Sequence, residues 1–141
     1  MTTTTTESAA QRPVPEPDEG SQRFFDGAKE GDLMLRQCGD CGAWLHPQAA
    51  ICSECLGENI DWAQASGLGT VFSFGVMHRV YHPGFIHDVP YNLAIIELDE
   101  GPRINTNLVN VDNSEIKVGM HVRATFEEQP GGVVLPKFEP A

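Results

Sequence analysis

The sequence has no long hydrophobic run and few basic residues. No stretch approaches the ~18 consecutive apolar residues that a membrane-spanning helix requires, so we expect no membrane span. Only 9 Lys and Arg stand against 20 Asp and Glu, which gives a formal net charge of −11. Nucleic-acid binders usually carry a basic face, because phosphate contacts supply much of their affinity. The charge therefore disfavours nucleic acid as a partner.

The amino terminus also lacks the basic start and apolar centre of a secretory signal peptide. This predicts a cytoplasmic, reducing location, where cysteines serve as thiols or metal ligands more often than as disulfides. Residues 1–20 are rich in Thr, then in Pro and Glu, and offer little to bury, so they are predicted to form a disordered tail.

A short helix is predicted at residues 21–32, where Phe24 and Phe25 lie on a narrow apolar stripe. A helix of this length is not stable alone. We expect its two Phe rings to pack on the rest of the chain, and a wedge that faces a partner is the alternative.

After the cysteine-containing segment the sequence changes to alternating apolar and polar residues, the pattern of β-strands. Five strands are predicted, at residues 70–77, 91–98, 103–109, 120–127 and 133–138. Pro136 places part of the last strand at a sheet edge. Five short strands with one long connection favour a small Greek-key barrel, the five-stranded OB-fold, over residues 63–141. A simple meander or an open sandwich is the alternative.

All four cysteines of the chain lie in two C-x-x-C pairs, with the spacing Cys38-x2-Cys41-x10-Cys52-x2-Cys55. Two such turns brought together by a short hairpin can close a tetrahedral site of four thiolates, which suits zinc. Spacing alone does not separate zinc from iron, so iron remains the alternative. Disulfides would need an oxidising compartment. Four thiolates leave no open coordination position, so the predicted role of the metal is structural.

The chain resembles a known family of zinc-ribbon and OB-fold proteins, long catalogued as domain of unknown function 35. The resemblance runs from about Ser21 to the carboxyl terminus. Its motifs, in chain order, are Phe24-Phe25-Asp26, Cys38-Gly-Asp-Cys41-Gly42, Cys52-Ser-Glu-Cys55, Trp62, Ser66-Gly67-Leu-Gly69-Thr-Val71, the segment from Pro90 to Gly101, Val118-Gly119-Met120 and Leu135-Pro136-Lys-Phe138.

The resemblance implies a mostly β protein: a short N-terminal helix, a rubredoxin-like zinc ribbon at residues 33–62, then the OB-fold barrel. It also implies a non-catalytic accessory subunit in a hetero-oligomer with a thiolase-superfamily enzyme, such as a thiolase, an acyltransferase or an aldolase of aromatic or steroid degradation. In such a complex the chain would help to bind or channel acyl-CoA.

The residues themselves suggest no independent catalysis. The sequence has no Gly-x-Ser-x-Gly elbow, no phosphate-binding glycine loop and no cysteine outside the two pairs. The histidines of the segment 78–90 leave a second metal site or a catalytic histidine as minor alternatives.

Loops on a rigid barrel often bind partners. The candidate residues for contact with a partner or with acyl-CoA are Arg36, Arg79, Tyr81, His82, Phe85 and Tyr91. For these residues, ordinary packing or solvation is the alternative. For the chain as a whole, the competing functions are a single-stranded nucleic-acid-binding module and an autonomous hydrolase or acyltransferase.

Overall fold

The structure is a computed structural model that describes residues 12–141, and its elements are mostly β-strands. In chain order they are helix α1 (Gln22–Lys29) and strands β1 (Met34–Cys38), β2 (Trp44–Leu45), β3 (Ile60–Gln64), β4 (Leu68–Met77), β5 (Tyr91–Leu98), β6 (Arg103–Thr106), β7 (His121–Glu128) and β8 (Val134–Pro140). Short 3-10 turns lie at Pro83–Phe85 and Asn113–Glu115. The predicted fold class, a short helix, a zinc ribbon and an OB-fold, is confirmed.

The ribbon is a three-stranded antiparallel sheet in the order β2-β1-β3. The pairing of β1 with β3 runs from Met34 opposite Gln64 to Cys38 opposite Ile60. At the proximal end of this sheet Leu35 is fully buried in the main core of the molecule, whereas Cys38 belongs to a separate, smaller cluster. The ribbon is therefore anchored to the barrel at one end only.

The second sheet has five strands in the order β6-β5-β4-β7-β8, curled into a half-barrel. The chain after β6 joins the two edges through a parallel bridge between Leu108 and Phe138. In this bridge Val109 donates its N–H to the Phe138 carbonyl at 2.8 Å, and Phe138 donates to the Asn107 carbonyl at 3.2 Å. Pro136 is tolerated because β8 has only one full strand neighbour, as predicted for a sheet edge.

The main core fills the interior of the curled sheet. Strand β5 alternates between buried and more exposed residues, as expected for a strand with one face on the core. The largest fully buried side chain is Phe138, which lies with Ile96, Leu98 and Val122 at 2% exposure or less. These aliphatic and aromatic contacts hold the two halves of the sheet together.

Helix α1 packs against β1 and β8. Phe24 packs on the main core and meets Phe25 edge to face at 5.2 Å between ring centroids. Gly27 permits the close approach of α1 to β1, since a Cβ at this position would collide with the Met34 side chain. We expected both Phe rings to pack on the rest of the chain; Phe24 packs on the main core, whereas Phe25 is half-buried outside it.

The length of one barrel strand differs clearly from the sequence prediction. The third predicted strand ends at Thr106 rather than at 109, because the chain then leaves β5 and turns to meet β8. The tail predicted to be disordered includes residues 1–11, which lie outside the described residues. Residues 12–20 form no helix or strand, and Arg12 makes an ion pair with Asp88 at 3.7 Å.

The division of the chain at 20/21, 32/33 and 62/63 stays a prediction. Within the described part of the chain, no helix is both long enough and apolar enough to cross a membrane.

Candidate metal centre and docking surfaces

The structure brings the four cysteine sulfurs together at the distal end of the ribbon. Their Sγ atoms all lie within 4.8 Å of one another. Two of the edges are 3.6 Å, between Cys38 and Cys55, and 3.5 Å, between Cys41 and Cys52. A regular tetrahedron with metal–sulfur bonds of ~2.3 Å has edges of about 3.8 Å, so these side chains fit a tetrahedral ion. The four cysteines are positioned to bind a metal.

Each C-x-x-C pair folds into the same turn. In the first, Gly42 donates its N–H to the Cys38 carbonyl at 2.9 Å, and in the second, Leu56 donates to the Cys52 carbonyl at the same distance. The residue after the second cysteine has a positive φ in both turns, +80° at Gly42 and +63° at Leu56. This curl of the backbone aims both sulfurs of a pair at one point.

Backbone N–H groups favour the thiolate form of Cys52. The N–H groups of Cys55 and Glu54 lie 3.5 and 3.3 Å from Cys52 Sγ. These bonds, that of Cys55 first, hold the pKa of the Cys52 thiol at about 7. Because a metal ligand must be deprotonated, these two hydrogen bonds favour Cys52 as a ligand.

The distal part of the ribbon has little core of its own. Its buried cluster consists of Cys38, Leu45 and Cys52, with Ala49 and Ile60 partly buried against it. A lobe with one fully buried aliphatic side chain relies on another source of stability, and a structural metal is the usual one in small domains. All four ligands come from cysteine, so a tetrahedral metal here would have no free position for substrate.

Five of the six predicted contact residues lie together in or beside the loop between β4 and β5. The Arg79 guanidinium lies 5.3 Å from the centroid of the Tyr81 ring, and Tyr81 is 70% exposed. Phe85 stacks on Tyr91 at 5.4 Å between ring centroids and meets His82 edge to face at 6.1 Å. The loop therefore carries two groups of packed side chains, Arg79 with Tyr81, and His82 and Tyr91 on either side of Phe85.

The sixth residue, Arg36, lies elsewhere, on β1. Its guanidinium lies 4.1 Å from the Trp62 ring centroid and donates to the carbonyls of Pro47 and Gly20. These contacts join the segment before α1 to the ribbon. Arg36 also lines a groove of about 780 Å³ between α1, the ribbon and the β6 and β8 edge.

Lys137 lies in the same groove. It is 8% exposed, and its ammonium donates to Asn107 Oδ1 at 2.6 Å. Asn107 in turn donates to the Asn92 carbonyl, which fixes the orientation of its amide. Burial lowers the pKa of Lys137 from its ordinary value.

The histidines of the loop do not form a second metal site. His82 Nδ1 accepts the N–H of Gly84 at 2.9 Å and so caps the short turn at Pro83–Phe85. Among residues 12–141 the four cysteines are the one group of metal-ligating side chains close enough to share an ion.

Two family models match the chain in succession. The ChsH2 rubredoxin-like zinc ribbon domain matches residues 25–61, and the ChsH2 C-terminal OB-fold domain matches residues 62–127. The chain is also 34% identical over 115 residues to a DUF35 domain-containing scaffold protein of Methanocaldococcus jannaschii, a match that covers 77% of this chain and 81% of that protein. The chain belongs to the DUF35 family.

Two further comparisons involve proteins whose names refer to acyl-CoA or aldolase chemistry. The chain is 36% identical over 132 residues to a probable enoyl-CoA hydratase alpha subunit of Thermomonospora curvata. It spans 41% of the length of that relative. A chain of the solved structure described as "Ltp2-ChsH2(DUF35) aldolase" superposes with a TM-score of 0.79 at 34% identity. This match covers 90% of our chain and 98% of the solved one.

Proposed function

We propose that this chain is a non-catalytic accessory subunit that binds a thiolase-superfamily acyl-CoA enzyme as a hetero-oligomer and helps to bind or channel acyl-CoA. The observation that carries the proposal is the similarity, over 90% of the chain, to a chain of the Ltp2-ChsH2(DUF35) aldolase. The relative named as an enoyl-CoA hydratase subunit supports an acyl-CoA context.

Zinc is the proposed metal of the ribbon. It accepts four thiolates at ~2.3 Å in tetrahedral geometry and needs no redox partner. The two short sulfur–sulfur edges, 3.5 and 3.6 Å, suit that geometry. When bound, the ion would hold the distal ribbon together, and Cys38, Cys41, Cys52 and Cys55 would ligate it.

The absence of a catalytic arrangement in the described residues supports an accessory role. A nucleophile must lie within hydrogen-bond reach of a base. In residues 12–141 the free cysteines are the four that converge on the metal centre. His46 and His82 each accept a hydrogen bond from a backbone N–H, not from a serine or cysteine.

The aromatic loop is the proposed contact surface for the enzyme. Tyr81 and Ile86 are 70% and 55% exposed, so both side chains are accessible to a partner. Tyr and Arg are enriched among residues that dominate binding energy, and Arg79 lies over Tyr81 here. The stacking of Phe85 on Tyr91 holds the loop in place before binding.

The groove beside α1 is the proposed contact surface for acyl-CoA. Its volume of about 780 Å³ lies in the range typical of small-molecule sites. Phe24 and Leu135 supply apolar walls, and Arg36 and Lys137 supply positive charge. Because CoA carries phosphate charges, an acidic chain needs such local cations to contact it.

The test is co-expression with thiolase-superfamily enzymes of the source organism. Size-exclusion chromatography with light scattering should give a hetero-oligomer, and the purified chain alone should show no thiolase or aldolase turnover. Tyr81→Ser should weaken the complex at least fivefold, with Val118→Ser, at a residue 66% exposed, as the matched control. Absence of a complex, or turnover by the chain alone, would refute the proposal.

The acyl-CoA contact is tested on the assembled complex. Arg36→Glu should weaken acyl-CoA affinity, measured by isothermal titration, because it reverses a charge in the groove. Lys137→Met, which keeps the apolar stem, should act in the same direction. If both variants bind acyl-CoA with the affinity of the wild type, the groove is removed from the proposal, while the proposed contact with the enzyme is unaffected.

A further inference from the structure

The tip of the ribbon carries two large apolar side chains that the chain itself does not cover. Leu56 is 76% exposed and Ile51 is 55% exposed. The Leu56 N–H lies 2.9 Å from the carbonyl of Cys52, the residue that follows Ile51. Both side chains therefore belong to the same end of the ribbon, here called the ribbon tip.

The two C-x-x-C turns allow an internal comparison at the position of Leu56. Gly42 and Leu56 follow the second cysteine of their turns, make the same backbone hydrogen bond and both have positive φ. Glycine adopts this conformation freely, whereas a side chain with a Cβ is disfavoured there. A glycine would thus serve the metal-binding turn better than Leu56 does.

Packing inside the chain does not explain the leucine either. A side chain that is 76% exposed buries little apolar surface in the chain, so it does not offset the backbone strain. The backbone and the packing both argue against leucine at this position in the free chain. A contact outside the chain accounts for it.

The charges around the ribbon tip define the chemistry of that contact. No Lys or Arg occurs between Arg36 and Arg79 in the sequence. The exposed charged residues of this segment are all acidic: Asp40, Glu54, Glu58 and Asp61. Such a surface is repelled by phosphate backbones and by anionic membranes. It is complementary to a protein pocket with an apolar floor and a rim of Lys and Arg.

We propose that the ribbon tip, Ile51 and Leu56, inserts into an apolar pocket with a basic rim on the partner enzyme. The identity of this partner rests on the proposed function. The surface is a different segment of the chain from the aromatic loop at 78–90. Two contact segments would fix the orientation of the subunit on the enzyme, whereas one loop alone would leave it free to pivot.

The experiment measures binding of purified thiolase-superfamily enzymes of the source organism to the intact, zinc-loaded chain, by biolayer interferometry. Leu56→Gly should weaken binding at least tenfold while zinc content and melting temperature stay equal or rise. Ile51→Ser should weaken binding as well, and Val118→Ser should change it less than twofold. Binding of the wild-type chain should weaken as NaCl rises, because the charged rim is screened.

A second variant guards against damage to the metal turn. Leu56→Asn keeps a side chain that tolerates positive φ but removes the apolar contact. If Leu56→Gly loses zinc, binding by Leu56→Asn and Ile51→Ser decides the question. Weakened binding supports the inference, and binding equal to the wild type contradicts it.

If the wild-type chain binds the enzyme and the Leu56 and Ile51 variants bind within twofold of it, this inference alone is overturned. No binding by the wild-type chain would overturn both this inference and the proposed function. If light scattering shows that the chain self-associates and that Leu56→Gly abolishes it, the tip binds a second copy and the inference is wrong.

Discussion

Removal of the metal should unfold the distal ribbon and leave the barrel folded. The structure contains two separate hydrophobic clusters, one in the barrel and one around the cysteines. Leu33, Leu35 and Ala65, at the proximal ends of β1 and β3, belong to the barrel cluster. We therefore expect chelation to disorder the segment between Cys38 and Ile60 only.

The magnitude follows from how little the distal ribbon buries. Ordering its roughly 20 residues costs on the order of 1 kcal/mol each in backbone entropy. Leu45, at 6% exposure, is the one fully buried aliphatic side chain of the distal cluster, and its burial returns only about 2 kcal/mol. Structural zinc contributes ~10–16 kcal/mol in small domains, which is the right order to make up the difference.

Hydrogen–deuterium exchange with and without a strong chelator is the measurement. Amides between Cys41 and Asn59 should lose protection, whereas Leu35, Ile96 and Phe138 should keep theirs. Cys41→Ser should reproduce the chelated pattern and lose the metal in elemental analysis. Unchanged protection of the distal segment after chelation would refute the reasoning, and so would loss of protection across the whole chain.

Two further predictions concern the closure of the barrel at β8. Phe138→Ala should lower the free energy of unfolding in urea by about 3–5 kcal/mol, because Phe138 is fully buried, and a loss below ~1 kcal/mol would contradict its central position in the core. Glu139 accepts hydrogen bonds from Asn110 and Arg123, in that order of effect, and these lower its pKa below the ordinary 4.5. Its contribution to stability is therefore present above pH 4.5 and is lost as the pH falls through the folded pKa. The urea midpoint of Glu139→Gln should lie below that of the wild type at pH 7 and approach it at pH 3, and a constant difference would argue against this contact.

The barrel strands could be predicted because their pattern is local. The predicted strand at 91–98 has the bounds of β5, since apolar side chains alternate there with exposed ones. The third strand was predicted too long, because the turn after Thr106 is set by pairing with β8, about thirty residues further along the chain. The short ribbon strand β3 was not predicted, because it depends on its pairing with β1.

The candidate surfaces followed the same division between local and distant contacts. The aromatic cluster of the 78–90 segment could be anticipated, because its members lie close in sequence. The position of Arg36 away from this loop and the position of Lys137 in the groove could not be anticipated. Each depends on long-range contacts, such as the hydrogen bond from Lys137 to Asn107. The exposed, left-handed Leu56 was also beyond the sequence pattern, because a C-x-x-C spacing does not specify the conformation of the residue that follows it.

The last strand meets three parts of the molecule at once: β7, the segment after β6, and helix α1. Loss of β8 from the fold would uncover apolar surface at all three places together. Exposed surface of this kind is what chaperones and degradation enzymes bind. The cellular lifetime of the protein should therefore depend on the integrity of β8.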